Sequence, residues 1–122
     1  MKRKDQDEIR SDTDVATVRA ALIELQAALK EHYGYQAPVL LLYGSYSRKE
    51  STSSSDVDIV LIYPGEVKPG KEIDQLRETL SGLNLRYQVL ISVLPVSQQQ
   101  YKTSSTVFWK NVRREAVPID HL

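Results

Sequence analysis

Two carboxylates one residue apart, Asp56 and Asp58, and a glycine–serine pair, Gly44-Ser45, are the groups in this chain best placed to do chemistry. Ten residues lie between Ser45 and Asp56. In an extended strand alternate side chains leave the same face, so Asp56-Val57-Asp58 presents both carboxylates together. Carboxylates held that close repel one another unless a cation sits between them. A small set of hard oxygen donors suits Mg²⁺, which keeps waters and takes further ligands from phosphates. Gly44 lets a backbone approach a ligand closely, and Ser45 adds a hydroxyl donor. A helical turn starting there would aim amide N–H groups at an anion. The chemistry is that of a phosphate-holding turn beside a metal-holding pair, with Gly44 and Ser45 on the β and γ phosphates of a nucleotide and Asp56 and Asp58 on its metal. Arg48 and Ser55 are further candidates for nucleotide contact, Arg48 being equally readable as a solvated cation.

The elements that must position these groups follow from hydrophobic spacing. Val15, Val18, Leu22, Leu25 and Leu29 recur every three or four residues, which predicts a helix over about 13–33 stopped by Gly34. Val39 to Tyr43 is an apolar run ending in Gly-Ser, as a strand buried on both faces would be. Asp56 to Tyr63 is a second strand, in which Val57, Ile59 and Leu61 point away from the carboxylates and into a core. Lys71 to Ser81 reads as a helix with Gly82 just past its end, and Arg86 to Leu94 as a third strand ended by Pro95. A short turn capped by Ser97 and a helix over about 105–115 carrying Phe108, Trp109 and Val112 follow. A fourth short strand is placed near Val117 to Ile119. The expected class is α/β (α+β), a small mixed sheet of three to four strands with helices mainly on one face. Residues 1–13 form a charged, frayed start, and 14–122 a single domain.

Composition narrows the classes. The 122 residues carry sixteen basic and sixteen acidic side chains, so net charge points neither to direct nucleic-acid binding nor to an anionic membrane. Without cysteine there are no thiolate metal sites, and a reducing cytoplasm is the default. No apolar run approaches the roughly 20 residues needed to cross a bilayer. The first residues lack the apolar stretch of a signal peptide.

Gly44-Ser45, ten residues, then Asp56-Val57-Asp58 resembles the signature of the DNA polymerase β-like nucleotidyltransferase superfamily. The chain's size, the leading helix, the run Leu42-Tyr43-Gly44-Ser45-Tyr46-Ser47-Arg48, Ser55-Asp56-Val57-Asp58, the segment Val89 to Ser97 and the ending Asn111-Val112-Arg113-Arg114-Glu115 are similar to its minimal nucleotidyltransferase (MNT) branch. The resemblance implies a Gly-Ser turn on the nucleotide phosphates, Asp56 and Asp58 on one or two Mg²⁺ ions, ATP as substrate, and pyrophosphate as product. It also implies a partner: an MNT antitoxin binds a HEPN-domain ribonuclease toxin as a hetero-oligomer, in some cases adding AMP to a tyrosine of it. Two departures stand out. The family motif often reads Gly-Ser-[Phe/Tyr]-Ala-Arg-Gly, where this chain has Ser47 and Lys49. Lys49 implies either that the loop needs no extreme backbone conformation there or that its cation helps to hold phosphate. The superfamily also commonly has an acidic residue on the neighbouring strand, a metal ligand that helps to deprotonate the attacking hydroxyl. Gln88 falls at the most plausible matching position, and an amide cannot serve as a base; Glu50, Glu78 and Asp120 are the substitutes the chain offers.

Three functions are therefore expected in order. The first is Mg²⁺-dependent transfer of AMP from ATP onto a protein hydroxyl of the toxin. The second is an antitoxin with a weak or silent site that neutralises its toxin by binding. The third is nucleotidyl transfer onto a small molecule. His32 and His121 stand in no metal-like spacing, Trp109 is read as core or partner surface, and Tyr46 is close enough to the turn to border a nucleotide.

Overall fold

A computed structural model describes residues 12–51 and 56–122 of the chain. The predicted frayed start and Ser55 lie, apart from Asp12 and Thr13, outside the described residues. The first helix, α1, runs Asp12–Tyr33, and its buried stripe is Val18, Ala21, Leu22, Leu25 and Leu29. Gly34 ends it in the left-handed region at φ 64° and passes the chain into a single 3-10 turn, Gly34–Gln36.

Strands β1 (Val39–Tyr43), β2 (Val57–Tyr63) and β3 (Ile91–Ser97) form one sheet in the order β1-β2-β3. β1 pairs antiparallel with β2, and β3 pairs parallel with it, so the sheet is mixed. The predicted fourth strand shrinks to one antiparallel bridge, Leu42 to Val117, followed by a 3-10 turn at Ile119–His121.

Helix α2 (Pro69–Tyr87) is longer than its local signals predict, because it runs straight through Gly82. A glycine inside a helix costs roughly 0.5–1 kcal/mol relative to alanine. That cost is outweighed beyond it: Leu83 is buried, and Arg86 and Tyr87 both reach Glu24 on α1, the tyrosine hydroxyl at 2.7 Å. The helix ends instead at Gln88, a left-handed cap with φ 54° and ψ 48° whose amide donates to the Asn84 carbonyl. The third strand consequently starts later than predicted and keeps Pro95 within it, opposite Leu61. β3 is an edge strand, so a proline can sit there with its missing N–H turned away from β2.

The two long helices cover one face of the sheet, in a cluster of α1 and α2 leucines against Leu40, Leu42, Val57, Ile59 and Leu61. The opposite face carries a smaller cluster, where Trp109 and Val112 of helix α4 (Val107–Glu115) pack on Val60, Ile62 and Val96. Helix α3 (Gln98–Thr103), capped by Ser97 as the sequence implies, leads into it. Both faces of β2 are therefore apolar through most of its length, which fixes its register. The apolar pattern on the second face stops at Asp58. That break is where the site lies.

Candidate active site

β2 delivers the carboxylates. Val57, Ile59 and Leu61 are fully buried on the α1/α2 side, which forces Asp58 onto the other face with Val60 and Ile62. Asp56 is exposed just before the strand, and Asp58 is half-buried within it. Burial, then the neighbouring Asp56 charge, push the Asp58 carboxyl up from its ordinary value, while Arg48 pulls the other way. Two crowded carboxylates, one partly desolvated, are a site that a cation would relieve. Among the described residues no group of three or more His, Cys, Asp or Glu side chains converges as a metal cage. A two-carboxylate donor set fits a hydrated Mg²⁺ that completes its shell from phosphate.

β1 delivers the turn. Tyr43 lies directly opposite Asp58 in the ladder, and Gly44 follows at φ 81°. A side chain at Gly44 would place its Cβ 2.6 Å from Asp58 Oδ2, so the carboxylate rests on bare backbone. Both the dihedral and the close approach require glycine here. Beyond it the chain closes one helical turn: the amide of Arg48 donates to the Gly44 carbonyl at 3.2 Å, and that of Glu50 to the Ser45 carbonyl at 2.8 Å. Ser47 Oγ donates to the Gly44 carbonyl at 2.9 Å and reinforces the turn, a bond that the family's usual alanine would lack. The segment is a hydrogen-bonded turn, and the amides of Ser45 and Ser47 precede the residues whose amides close it. Burial and the Asp58 charge together raise the Tyr43 hydroxyl's pKa.

Gly44, Ser45, Arg48, Asp56 and Asp58 thus come together at one end of the sheet. Three expectations change. Gln88 is not on the third strand but caps α2, so it does not occupy the strand position at which the third carboxylate was expected. The β3 residue opposite Asp58 is Ser92, exposed, with the exposed Leu90 two residues before it. Neither is acidic, and among the described residues none of Glu50, Glu78 and Asp120 completes a cluster of three around the pair. Lys49 does adopt the left-handed conformation, at φ 59°, so the loop needs the very geometry for which the family's usual glycine is suited. Tyr46 turns away from the site and is buried in the α1/α2 cluster. Trp109 is core, in edge contact with Phe108 and Tyr101.

The sequence reading missed Glu115. It closes an ion pair with Arg48 at 3.0 Å, across 67 positions of sequence, while Arg48 Nε donates to Glu50 at 2.9 Å. No local pattern announces a contact of that range.

A short strand, a Gly-Ser turn and two aspartates at the start of the adjoining strand thus meet at one end of the sheet, and the comparisons identify the family. The profile of the nucleotidyltransferase domain family matches residues 22–111, and the chain belongs to that family. It is 31% identical over 96 residues, 78% of this chain and 90% of the other, to the Methanocaldococcus jannaschii protein named "Putative protein adenylyltransferase MJ0604". Its fold is shared with a solved structure described as "putative minimal nucleotidyltransferase", at a TM-score of 0.57 and 23% identity over 88% of this chain and 98% of that one. A toxin–antitoxin complex with AMP-PNP also contains the fold, at a TM-score of 0.55 and 17% identity, covering 83% of this chain and 71% of that one. Among the described residues no helix is long and apolar enough to cross a membrane.

Proposed function

We propose that this chain transfers AMP from ATP onto a hydroxyl of a protein partner, a HEPN-domain toxin held in a hetero-oligomer in the cytoplasm, and thereby neutralises it. The observation that carries the reading is the Asp58 carboxylate seated on Gly44 with Asp56 beside it, which joins the metal-binding and phosphate-binding halves at one point. The name of the M. jannaschii relative supports the reaction class, and the fold shared with a toxin–antitoxin complex supports the kind of partner.

In the reaction, the acceptor hydroxyl oxygen forms a bond to the α-phosphorus. The bond from that phosphorus to the bridging oxygen breaks, pyrophosphate leaves with the electron pair, and the hydroxyl proton passes to water. Asp56 and Asp58 would hold Mg²⁺, which supplies charge neutralisation as the phosphates separate. Ser45, the leading turn amides and Arg48 hold the phosphates, and Ser55 stays a candidate for nucleotide contact on its place in the sequence alone. Catalysis then rests on position and charge more than on acid–base chemistry, as is general for transfer at phosphorus. Lacking a general base typically costs about 10²–10⁴-fold in rate, which a slow regulatory modification tolerates.

The neutral pair Leu90 and Ser92 beside Asp58 favours a second reading, in which the protein neutralises its partner by occupying it and turns over little. Intact-mass analysis of the co-purified partner, with ATP and Mg²⁺, decides between them. Addition in units of AMP by the wild type, and none by Asp56→Asn/Asp58→Asn, is the expected result. An unmodified partner that is still neutralised by the double variant would establish the second reading in its place.

A further inference from the structure

Arg48 and Glu115 are joined by more than their ion pair. Arg48 belongs to the turn that leaves the end of β1 at Gly44. Glu115 is the last residue of α4, and the segment after it is pinned to the same strand. The Leu42 amide donates to the Val117 carbonyl at 2.7 Å, and the Val117 amide returns a bond to the Leu42 carbonyl at 2.9 Å. The Ala116 amide closes on Val112 at 2.8 Å, and Val112 and Trp109 anchor the helix in the core. Both partners therefore hang from β1, two positions apart, and Glu115 is fixed relative to the turn whatever the rest of the loop does.

The geometry of Arg48 gives this a purpose. A guanidinium has five N–H donors in a rigid fork. Nε donates to Glu50 and Nη1 to Glu115, which spends one donor on each flank and sets the plane of the group. The Glu50 side chain is 64% exposed, against 26% for Glu115, so Glu115 is the better-held partner. Arg114 lies 4.0 Å from the other oxygen of Glu115 and helps to hold that carboxylate in place. The Arg48 amide donates to the Gly44 carbonyl at 3.2 Å, and Gly44 is the residue on which the Asp58 carboxylate rests, so Arg48 lies on the turn that borders the site.

We infer that Glu115 is a positioning residue for nucleotide binding: it sets the orientation of Arg48 so that the fork's remaining N–H donors meet a phosphate of ATP at the Gly-Ser turn. The inference rests on the nucleotidyltransferase reading above and adds the α4 end to the site. It gives the last turn of α4 a binding role, where a solvated ion pair on its own contributes little stability.

The test is a double-mutant cycle read by calorimetric titration of full-length protein with ATP in Mg²⁺. Glu115→Gln keeps the shape of the side chain and removes its charge, and it weakens ATP binding about ten-fold while leaving the thermal midpoint within a few degrees. Glu115→Asp, one methylene shorter, recovers part of the loss. Arg48→Ala weakens binding by at least as much, and adding Glu115→Gln to it weakens binding no further, because the role of Glu115 passes through Arg48. Binding by Glu115→Gln within two-fold of wild type, or two losses that multiply, overturns the inference while leaving the nucleotide site standing. A wild type that binds no ATP overturns both.

Discussion

The two flanks of Asp58 are furnished very differently. On the β1 side stand Tyr43, the bare backbone of Gly44, a hydrogen-bonded turn and an arginine held by two carboxylates. On the β3 side stand Ser92 and Leu90, exposed and with no charge between them. The contrast separates two tasks that an active site must perform. Grasping a nucleotide needs close backbone approach, amide donors and fixed cations, and the β1 flank has all three. Activating an acceptor is faster with a base, and neither Leu90 nor Ser92 on the β3 flank offers one. On the proposed function, the chain is thus built more firmly to hold a nucleotide than to hurry its transfer, and the proposed partner would have to present its hydroxyl in good geometry.

Breaking the β1 flank should have the largest effect. Gly44→Ala meets both obstacles at once: φ 81° and a Cβ 2.6 Å from Asp58 Oδ2. A left-handed dihedral alone costs a non-glycine residue roughly 1–2 kcal/mol, and here the carboxylate must also move off its seat. The expected outcome is a melting point lowered by several degrees and AMP transfer reduced by more than about 100-fold, since a misplacement of about 1 Å is enough for that loss. Thermal denaturation alongside a labelling assay with ATP checks both.

Sharpening the β3 flank should have a smaller effect of the opposite sign. Ser92→Asp places a carboxylate directly across the ladder from Asp58. If the missing base limits the rate, turnover rises about ten-fold or more, toward the range typical of general-base catalysis, while the nucleotide dissociation constant changes little. Single-turnover kinetics against equilibrium binding separates the two. The same variant should lose stability in the absence of divalent cation, because it adds a third charge to a pair that already repels.

The parts of this protein legible in its sequence are those specified over short range. Asp56-Val57-Asp58 and Gly44-Ser45 announce themselves because strand alternation and a glycine turn act within a few residues. The helix over Val15 to Leu29 and the strand at Val39 to Tyr43 follow from apolar spacing alone. The parts misread are those in which a distant neighbour outvoted a local signal. Gly82 looks like a helix end, yet Leu83 packing and the grip of Glu24 on Arg86 and Tyr87 carry α2 past it. Pro95 looks like a strand end, yet β3 is an edge and has only one ladder to satisfy. Those two shifts moved Gln88 from a strand position to a helix cap and put Ser92 beside Asp58. Lys49 is a third case: the turn dictated a left-handed residue whatever the side chain. Glu115 was out of reach of any local pattern, being brought to Arg48 by the Leu42–Val117 bridge and by the packing of Trp109 and Val112.

The central claim is that the aspartate pair and the Gly-Ser turn form one cradle for magnesium and nucleotide. Titration of ATP into the protein with and without Mg²⁺, in wild type and in Asp56→Asn/Asp58→Asn, tests it most directly. Saturable, Mg²⁺-dependent binding by the wild type, and only weak, Mg²⁺-independent binding by the double variant, are expected. Equal Mg²⁺-dependent binding by the two proteins would contradict it.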